Sequence, residues 1–158
     1  MREMFVAALA LGLALAMPVG IFAKAPTAKI IITGGQLNKP LEVAHPEILQ
    51  RFNPWHGGFR DGSHRPAGVN APVQWPPPYE VQFYVRFSEK ETPMKYVIYY
   101  LPGAANERGY IYLPVKGEPW YWHNATTMGT TTGWFRASRE WDALIKPLIQ
   151  AAEAVQRR

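Results

Sequence analysis

The segment that most constrains this chain is an alternation. Tyr79, Val81, Phe83, Val85 and Phe87 are apolar or aromatic, while Glu80, Gln82, Tyr84 and Arg86 between them are largely polar. Successive side chains of an extended chain point to opposite faces, so the pattern predicts a strand with one buried face and one wet one. Such a strand needs neighbours for its backbone and a second layer for its apolar side. The rest of the chain must supply both.

The neighbours are legible nearby. Lys29 to Thr33 holds three consecutive isoleucines and is ended by Gly34 and Gly35, and Leu41 to Val43 reads as a short return strand. Met94 to Leu101 is apolar or aromatic on both sides, as a central strand would be. Tyr110 to Leu113 continues a meander, and Trp120 to His123 is predicted as its fourth strand. For the second layer, Ser138 caps a helix in which Trp141, Leu144, Ile145, Leu148, Ile149, Ala152 and Val155 recur at helical spacing, with Pro147 expected to kink it. A shorter helix begins at Pro46, carries Ile48, Leu49 and Phe52 on one side, and stops at Asn53 and Pro54. The predicted fold is α+β: an antiparallel β-meander sheet with a short N-terminal helix and a C-terminal amphipathic helix packed on one face. Trp141, Leu144, Ile145 and Leu148 are expected to dock on the apolar side of the alternating strand.

The first residues read as an address. Arg2 precedes an apolar run from Met4 to Ala16, Pro18 and Gly20 break it, and Ala23 and Ala25 are small. This predicts a signal peptide over residues 1–23, cut after Ala23 because a cut after Ala25 would leave Pro26 at the new terminus. The alternative is an uncleaved anchor, since Met4 to Ala23 is about long enough to span a bilayer; the Pro and Gly near its end weigh against it. The expectation is a secreted or periplasmic protein in which residues 24–158 form a single globular domain with no transmembrane segment after signal removal.

The chain has no cysteine, which excludes disulfides, thiol catalysis and a cysteine lipid anchor, and suits bacterial rather than eukaryotic export. Stability must come from burial, for which six Trp, eight Tyr and seven Phe provide the means. The net charge is +5, but Lys and Arg are scattered and the only adjacent pair is Arg157 and Arg158. A nucleic-acid surface would show a denser stripe, so nucleic acid is not expected as a partner. An anionic envelope polymer, a glycan or a protein fits better.

The run Lys29 to Gly35, the segment Lys39 to Phe52, the strand from Pro78, the strand Gly109 to Pro114, and Trp134 to Ala137 before a Trp-bearing helix together resemble an uncharacterised family of small secreted bacterial proteins. That resemblance implies an exported bacterial single-domain protein and carries no assigned activity.

Candidate chemistry lies in two places. The first is the segment Trp55 to Arg65, within a Gly-, Pro- and His-rich stretch over residues 53–78. His56, Asp61 and His64 are zinc-ligand types, but seven residues separate the histidines in an irregular segment, so no metal is predicted. Ser63 lacks the Gly-x-Ser-x-Gly elbow. Glu80, Glu118, Glu140 and Asp142 could serve a two-carboxylate mechanism only if the fold brought two across a cleft. No phosphate-binding loop is present, and no cofactor is expected. The second place is aromatic: Tyr84 on the wet face of its strand, and Tyr110 and Tyr112 sharing a face of theirs, could stack on sugar rings or receive a peptide. Arg136 and Arg139 could add an acidic-group contact. The sequon Asn124-Ala125-Thr126 matters only in a eukaryotic secretory pathway.

The preferred reading is a noncatalytic binding or envelope-associated domain, with Trp55, His56, Arg60, Asp61, His64, Tyr84, Tyr110 and Tyr112 as candidate binding residues and no catalytic residue assigned. Its alternative is a small secreted hydrolase using the His56–His64 loop. An enzyme should gather His56, Asp61, His64 and an acid such as Glu118 in one pocket, whereas a binding module should present an open aromatic face.

Overall fold

The computed structural model describes residues 25–62, 79–86, 94–128 and 131–158. The proposed signal peptide, Ser63, His64 and Phe87 lie outside them. Six strands and three helices follow in the order β1 (Thr27–Gly34), β2 (Leu41–Val43), α1 (Pro46–Arg51), β3 (Tyr79–Val85), β4 (Met94–Leu101), β5 (Tyr110–Leu113), α2 (Tyr121–Met128), β6 (Gly133–Arg136) and α3 (Arg139–Gln156). The strands form one sheet in the order β2-β1-β3-β4-β5-β6, every neighbouring pair antiparallel. The predicted α+β architecture is what the chain adopts.

Register decides which residues share a face, because directly opposed residues point the same way. Ile30, Phe83 and Tyr96 stand in one row, Ile32, Val81 and Ile98 in the next, and Tyr79, Tyr100, Ile111 and Phe135 in a third. These make the dry face, and α3 covers it. Trp141 is fully buried there, its ring 4.9 Å from Phe52, 5.8 Å from Tyr100, 6.0 Å from Phe83 and 6.2 Å from Phe59. The buried stripe runs Trp141, Ile145, Ile149 and Glu153, one residue per turn. It is narrower than predicted: Leu144 and Leu148 are 38% and 37% exposed. A helix lying on a flat sheet buries one row fully. Leu144 instead borders a cleft of about 300 Å³ with His45, Glu47, Ile48 and Arg51 of the α1 region.

Polar groups fasten this layer. Ser138 Oγ accepts from the Trp141 N–H at 3.0 Å and donates to the Gly58 carbonyl at 2.7 Å. Asp142 accepts from the Tyr100 hydroxyl at 2.6 Å and the Gly109 N–H at 2.8 Å. Only glycine permits that approach, since a Cβ at position 109 would sit 2.6 Å from the Leu101 carbonyl oxygen and 2.7 Å from the Tyr100 ring. Glu153, buried, accepts from the Tyr79 hydroxyl at 2.5 Å and the Gln36 N–H at 3.1 Å. The side-chain amide of Gln156 pairs with both backbone groups of Lys39, at 2.9 and 3.2 Å. Helix α3 continues through Pro147, which has no N–H to offer the Ala143 carbonyl; both residues are exposed.

One predicted element is corrected. Trp120 to His123 is not a strand: α2 begins at Tyr121, and β6 takes the fourth place in the meander. Aromatic residues favour extended chain locally, but tertiary pairing decides here. Strand β5 opposes only Tyr99 to Leu101, which leaves the edge of β4 open before that point. Asn124 closes it, accepting from the Val97 N–H at 2.9 Å and donating to the Val97 carbonyl at 2.6 Å. That pairing requires a helical turn, begun where the Trp120 carbonyl accepts from the Asn124 N–H at 2.9 Å.

Candidate functional site

The segment after α1 is built mainly as structure. Asn53, buried, donates from its amide to the Ala25 carbonyl at 2.9 Å, and Trp55 Nε1 reaches the same oxygen at 3.1 Å. Phe59 is a core residue, 5.4 Å from the Phe83 ring and 6.1 Å from the Tyr96 ring. Arg60 lies 4.9 Å over the Phe135 ring and pairs with Ala137 through an isolated bridge. Asp61 faces Arg108 at 3.5 Å. The residues that looked chemical are thus largely engaged in closing the end of the sheet.

His56 is exposed at the rim of a cleft of about 420 Å³ lined also by Pro26, Thr27, Pro46, Leu49, Gln50 and Asn53. No acid lines that cleft among these residues. Glu118 is on the other side of the sheet, accepting from the Tyr112 hydroxyl at 2.8 Å and the Val115 N–H at 2.9 Å. Glu140 pairs with Arg51 at 3.1 Å, and Asp142 is held by Tyr100 and Gly109 as described. Among the described residues no group of three His, Asp or Glu could hold a metal ion. None of their helices is long and apolar enough to cross a membrane.

The opposite face of the sheet has another chemistry. Its rows follow from the same register: Lys29, Tyr84 and Lys95; then Ile31, Gln82 and Val97; then Glu80, Tyr99, Tyr112 and Trp134; then Leu101, Tyr110 and Arg136. Tyr84, Tyr110 and Tyr112, singled out from sequence, therefore share one face, joined by Tyr99 and Trp134. The rings touch in sequence across the strands, Tyr99 to Tyr112 at 6.5 Å, Tyr112 to Trp134 at 4.9 Å and Trp134 to Tyr110 at 6.3 Å. The Arg136 guanidinium lies 4.2 Å over Tyr110. Tyr112 is buried, whereas Tyr84, Tyr99, Tyr110 and Trp134 keep part of their surface in water.

Hydrogen bonds order the polar part of this face. The Tyr84 hydroxyl donates to Gln82 at 3.0 Å, and the Gln82 amide donates to Glu80 at 2.6 Å. Burial, reinforced by the charge of Glu80 and a hydrogen bond to it, pushes the Tyr99 hydroxyl up to about 12. Tyr112 is held above the ordinary tyrosine range by burial and by its bond to Glu118. Both stay neutral at physiological pH. What these groups can offer a ligand is stacking, hydrogen bonds and positive charge.

Sequence reasoning missed Lys29, Lys95, Tyr99 and Trp134 as members of this surface. The alternation through Lys95, Val97, Tyr99 and Leu101 was a usable signal for two of them. No family model, curated protein or solved structure matches the chain.

Proposed function

We propose that this protein is an exported, noncatalytic binding domain of a bacterial cell envelope, which holds an envelope glycan against the aromatic face of its sheet. One observation carries the reading: helices α1 and α3 close one face, while the other presents a connected series of aromatic rings edged by Lys29, Lys95 and Arg136. Among the described residues α2 lies over that second face at β4, where Asn124 meets Val97, and the turn before it brings Glu118 to Tyr112. Flat rings with polar neighbours suit the alternating apolar and hydroxylated faces of sugars. The apolar run before Ala23, the absence of cysteine and the resemblance to small secreted bacterial proteins support export into an envelope.

The test has two arms. Exported protein is expected to begin at Lys24 by intact mass; a mass beginning at Met1 would overturn export by a cleaved signal. Cosedimentation with insoluble cell-wall polysaccharide is expected to deplete the protein from solution, and Trp134→Ala and Tyr110→Ala to weaken that depletion. Protein that stays in solution, or variants that sediment as fully as the parent, would overturn binding at this face.

A further inference from the structure

We propose that the outer side of α3 is the contact between two copies of this chain, packed antiparallel about a two-fold axis that crosses the helix between Leu148 and Ala151. Leu144, Leu148, Ala151 and Val155 follow at intervals of four, three and four residues, the spacing of a helix–helix seam. None of the four is buried. Leu144 and Leu148 are more than a third exposed, Val155 is 71% exposed, and Ala151 is exposed as well. Ala143, Pro147 and Ala154 widen the same side and are also exposed. A helix that meets only one layer carries polar residues on the side away from it. Here Lys146, the one cation in the middle of α3, is instead held by the Gly103 and Ala104 carbonyls at 2.8 and 3.0 Å, and the outer side stays apolar.

Charge selects a second copy and sets its direction. At the N-terminal end of this surface Glu140 pairs with Arg51 at 3.1 Å, while Glu47, which lines the same cleft as Leu144, has no cation within 4 Å among the described residues. At the other end Arg157 pairs with Glu153 at 3.6 Å, while Arg158 has no carboxylate within 4 Å among the described residues. One uncompensated charge of each sign thus stands at opposite ends of one apolar surface. Antiparallel pairing brings each to its opposite, twice over, and opposes the two helix dipoles. Parallel pairing would set Arg158 on Arg158.

The register follows from the same residues. With the axis between Leu148 and Ala151, each Leu148 meets Ala151 of the other copy, a large side chain against a small one. Leu144 and Val155 are each roughly 8 Å from the axis by helix rise, so they meet as well. Val155 of one copy then enters the cleft of about 300 Å³ that Leu144 lines with His45, Glu47, Ile48 and Arg51 of the other. Arg158, one turn further on, reaches Glu47. A five-turn seam is smaller than the roughly 800 Å² per partner of a standard interface, so the dimer is a weak one, half-formed at about 10–100 µM. Because α3 covers the dry face, the pairing leaves both outer sheet faces directed away from the contact, and it holds whatever those faces bind.

The full chain is expressed in an exporting bacterium, and the purified protein is followed by sedimentation velocity from about 1 µM to 1 mM, across which it is expected to pass from monomer to dimer. Val155→Glu should weaken the dimer at least about ten-fold while leaving the thermal midpoint within about 2 °C of the parent. Arg158→Glu and Glu47→Lys should each weaken it about five-fold, and the two together in one chain should restore the parent's affinity. Because the chain has no cysteine, a disulfide can report the register. Ala151→Cys should give a covalent dimer on mild oxidation, whereas Val155→Cys should not, its two copies standing roughly 16 Å apart along the helices. A monomer at every concentration, or a dimer indifferent to Val155→Glu, would overturn the contact. Charge reversals that fail to restore one another, or Val155→Cys cross-linking as readily as Ala151→Cys, would overturn the antiparallel pairing. A chain that stays monomeric and sediments with anionic phospholipid vesicles would give this side of α3 to a membrane surface and overturn the second copy.

Discussion

The two faces of the sheet use many of the same residue types to opposite ends. On the dry face, Tyr79 and Tyr100 turn their hydroxyls to the acids of α3, and their rings fill the core around Trp141. On the other face, Tyr84, Tyr99 and Tyr112 turn theirs to Gln82, Glu80 and Glu118, partners on the same face or in the adjoining turn. Tyrosine is thus a clasp between layers in one case and an element of a surface in the other. The difference lies in where the acceptors are placed, on a covering helix or on the sheet and its turns.

Removing the cover should have the largest effect. Trp141→Ala is expected to cost about 3–5 kcal/mol, read as a fall in the urea midpoint with little change in slope. A loss below about 1 kcal/mol would mean that α3 is not what keeps the dry face dry. Next come the clasps. Asp142→Ala leaves the buried Tyr100 hydroxyl and the Gly109 N–H without their acceptor and should cost about 2–3 kcal/mol. Adding Tyr100→Phe should recover part of that loss, because an unmade buried hydrogen bond is worse than an absent one.

The clasps also predict an alkaline limit. Burial and the adjacent carboxylates hold the Tyr79 and Tyr100 hydroxyls well above their ordinary range. The unfolded chain sheds these protons from about pH 10, whereas the folded protein retains them, so stability is complete below that pH and declines above it. Unfolding free energy measured from about pH 9 to 12 should therefore fall, and Tyr79→Phe should flatten the fall. A level profile would show that these protons are not linked to folding.

Smaller still is the closure of β4. Asn124→Ala should cost about 1–2 kcal/mol and speed amide exchange at Val97 above its neighbours. Unchanged protection at Val97 would mean that the side-chain amide is dispensable. On the outer face, Tyr84→Leu and Lys95→Gln should each shift stability by no more than about 0.5 kcal/mol. A larger loss would make this face a second core and erase the contrast between the two.

Much of the fold was legible because local pattern and tertiary demand agree. The alternation from Tyr79, the isoleucines of β1, Pro46 at the start of α1 and Ser138 at the start of α3 each state locally what the fold needs. They disagree at Trp120 to His123, where aromatic composition suggests a strand and a distant partner, Val97, imposes a helix. The four-residue β6 is too short to announce itself. Leu144 and Leu148 fit a helical stripe, but a periodicity cannot tell a flat partner from a groove. The outer face was half legible for the same reason: Tyr84, Tyr110 and Tyr112 can be assigned to faces one strand at a time, while placing Lys29 and Lys95 beside Tyr84 needs the register of three strands.

Asn124 bears on the choice of host for making this protein. In a secretory pathway that attaches glycans to Asn-x-Thr, transfer would act on the emerging chain, before the residue reaches the 6% exposure it has when folded. A sugar on its amide nitrogen would find no space in this buried position and would replace one of the two hydrogens of the group that donates to the Val97 carbonyl. Such a host would divide its product between unmodified chains that close β4 and modified chains that leave it open, and an open edge is a template for aggregation. A residue that a host without this transfer leaves untouched would thus become a folding hazard in one that has it, a hazard that Thr126→Ala would remove by deleting the acceptor motif while keeping the amide.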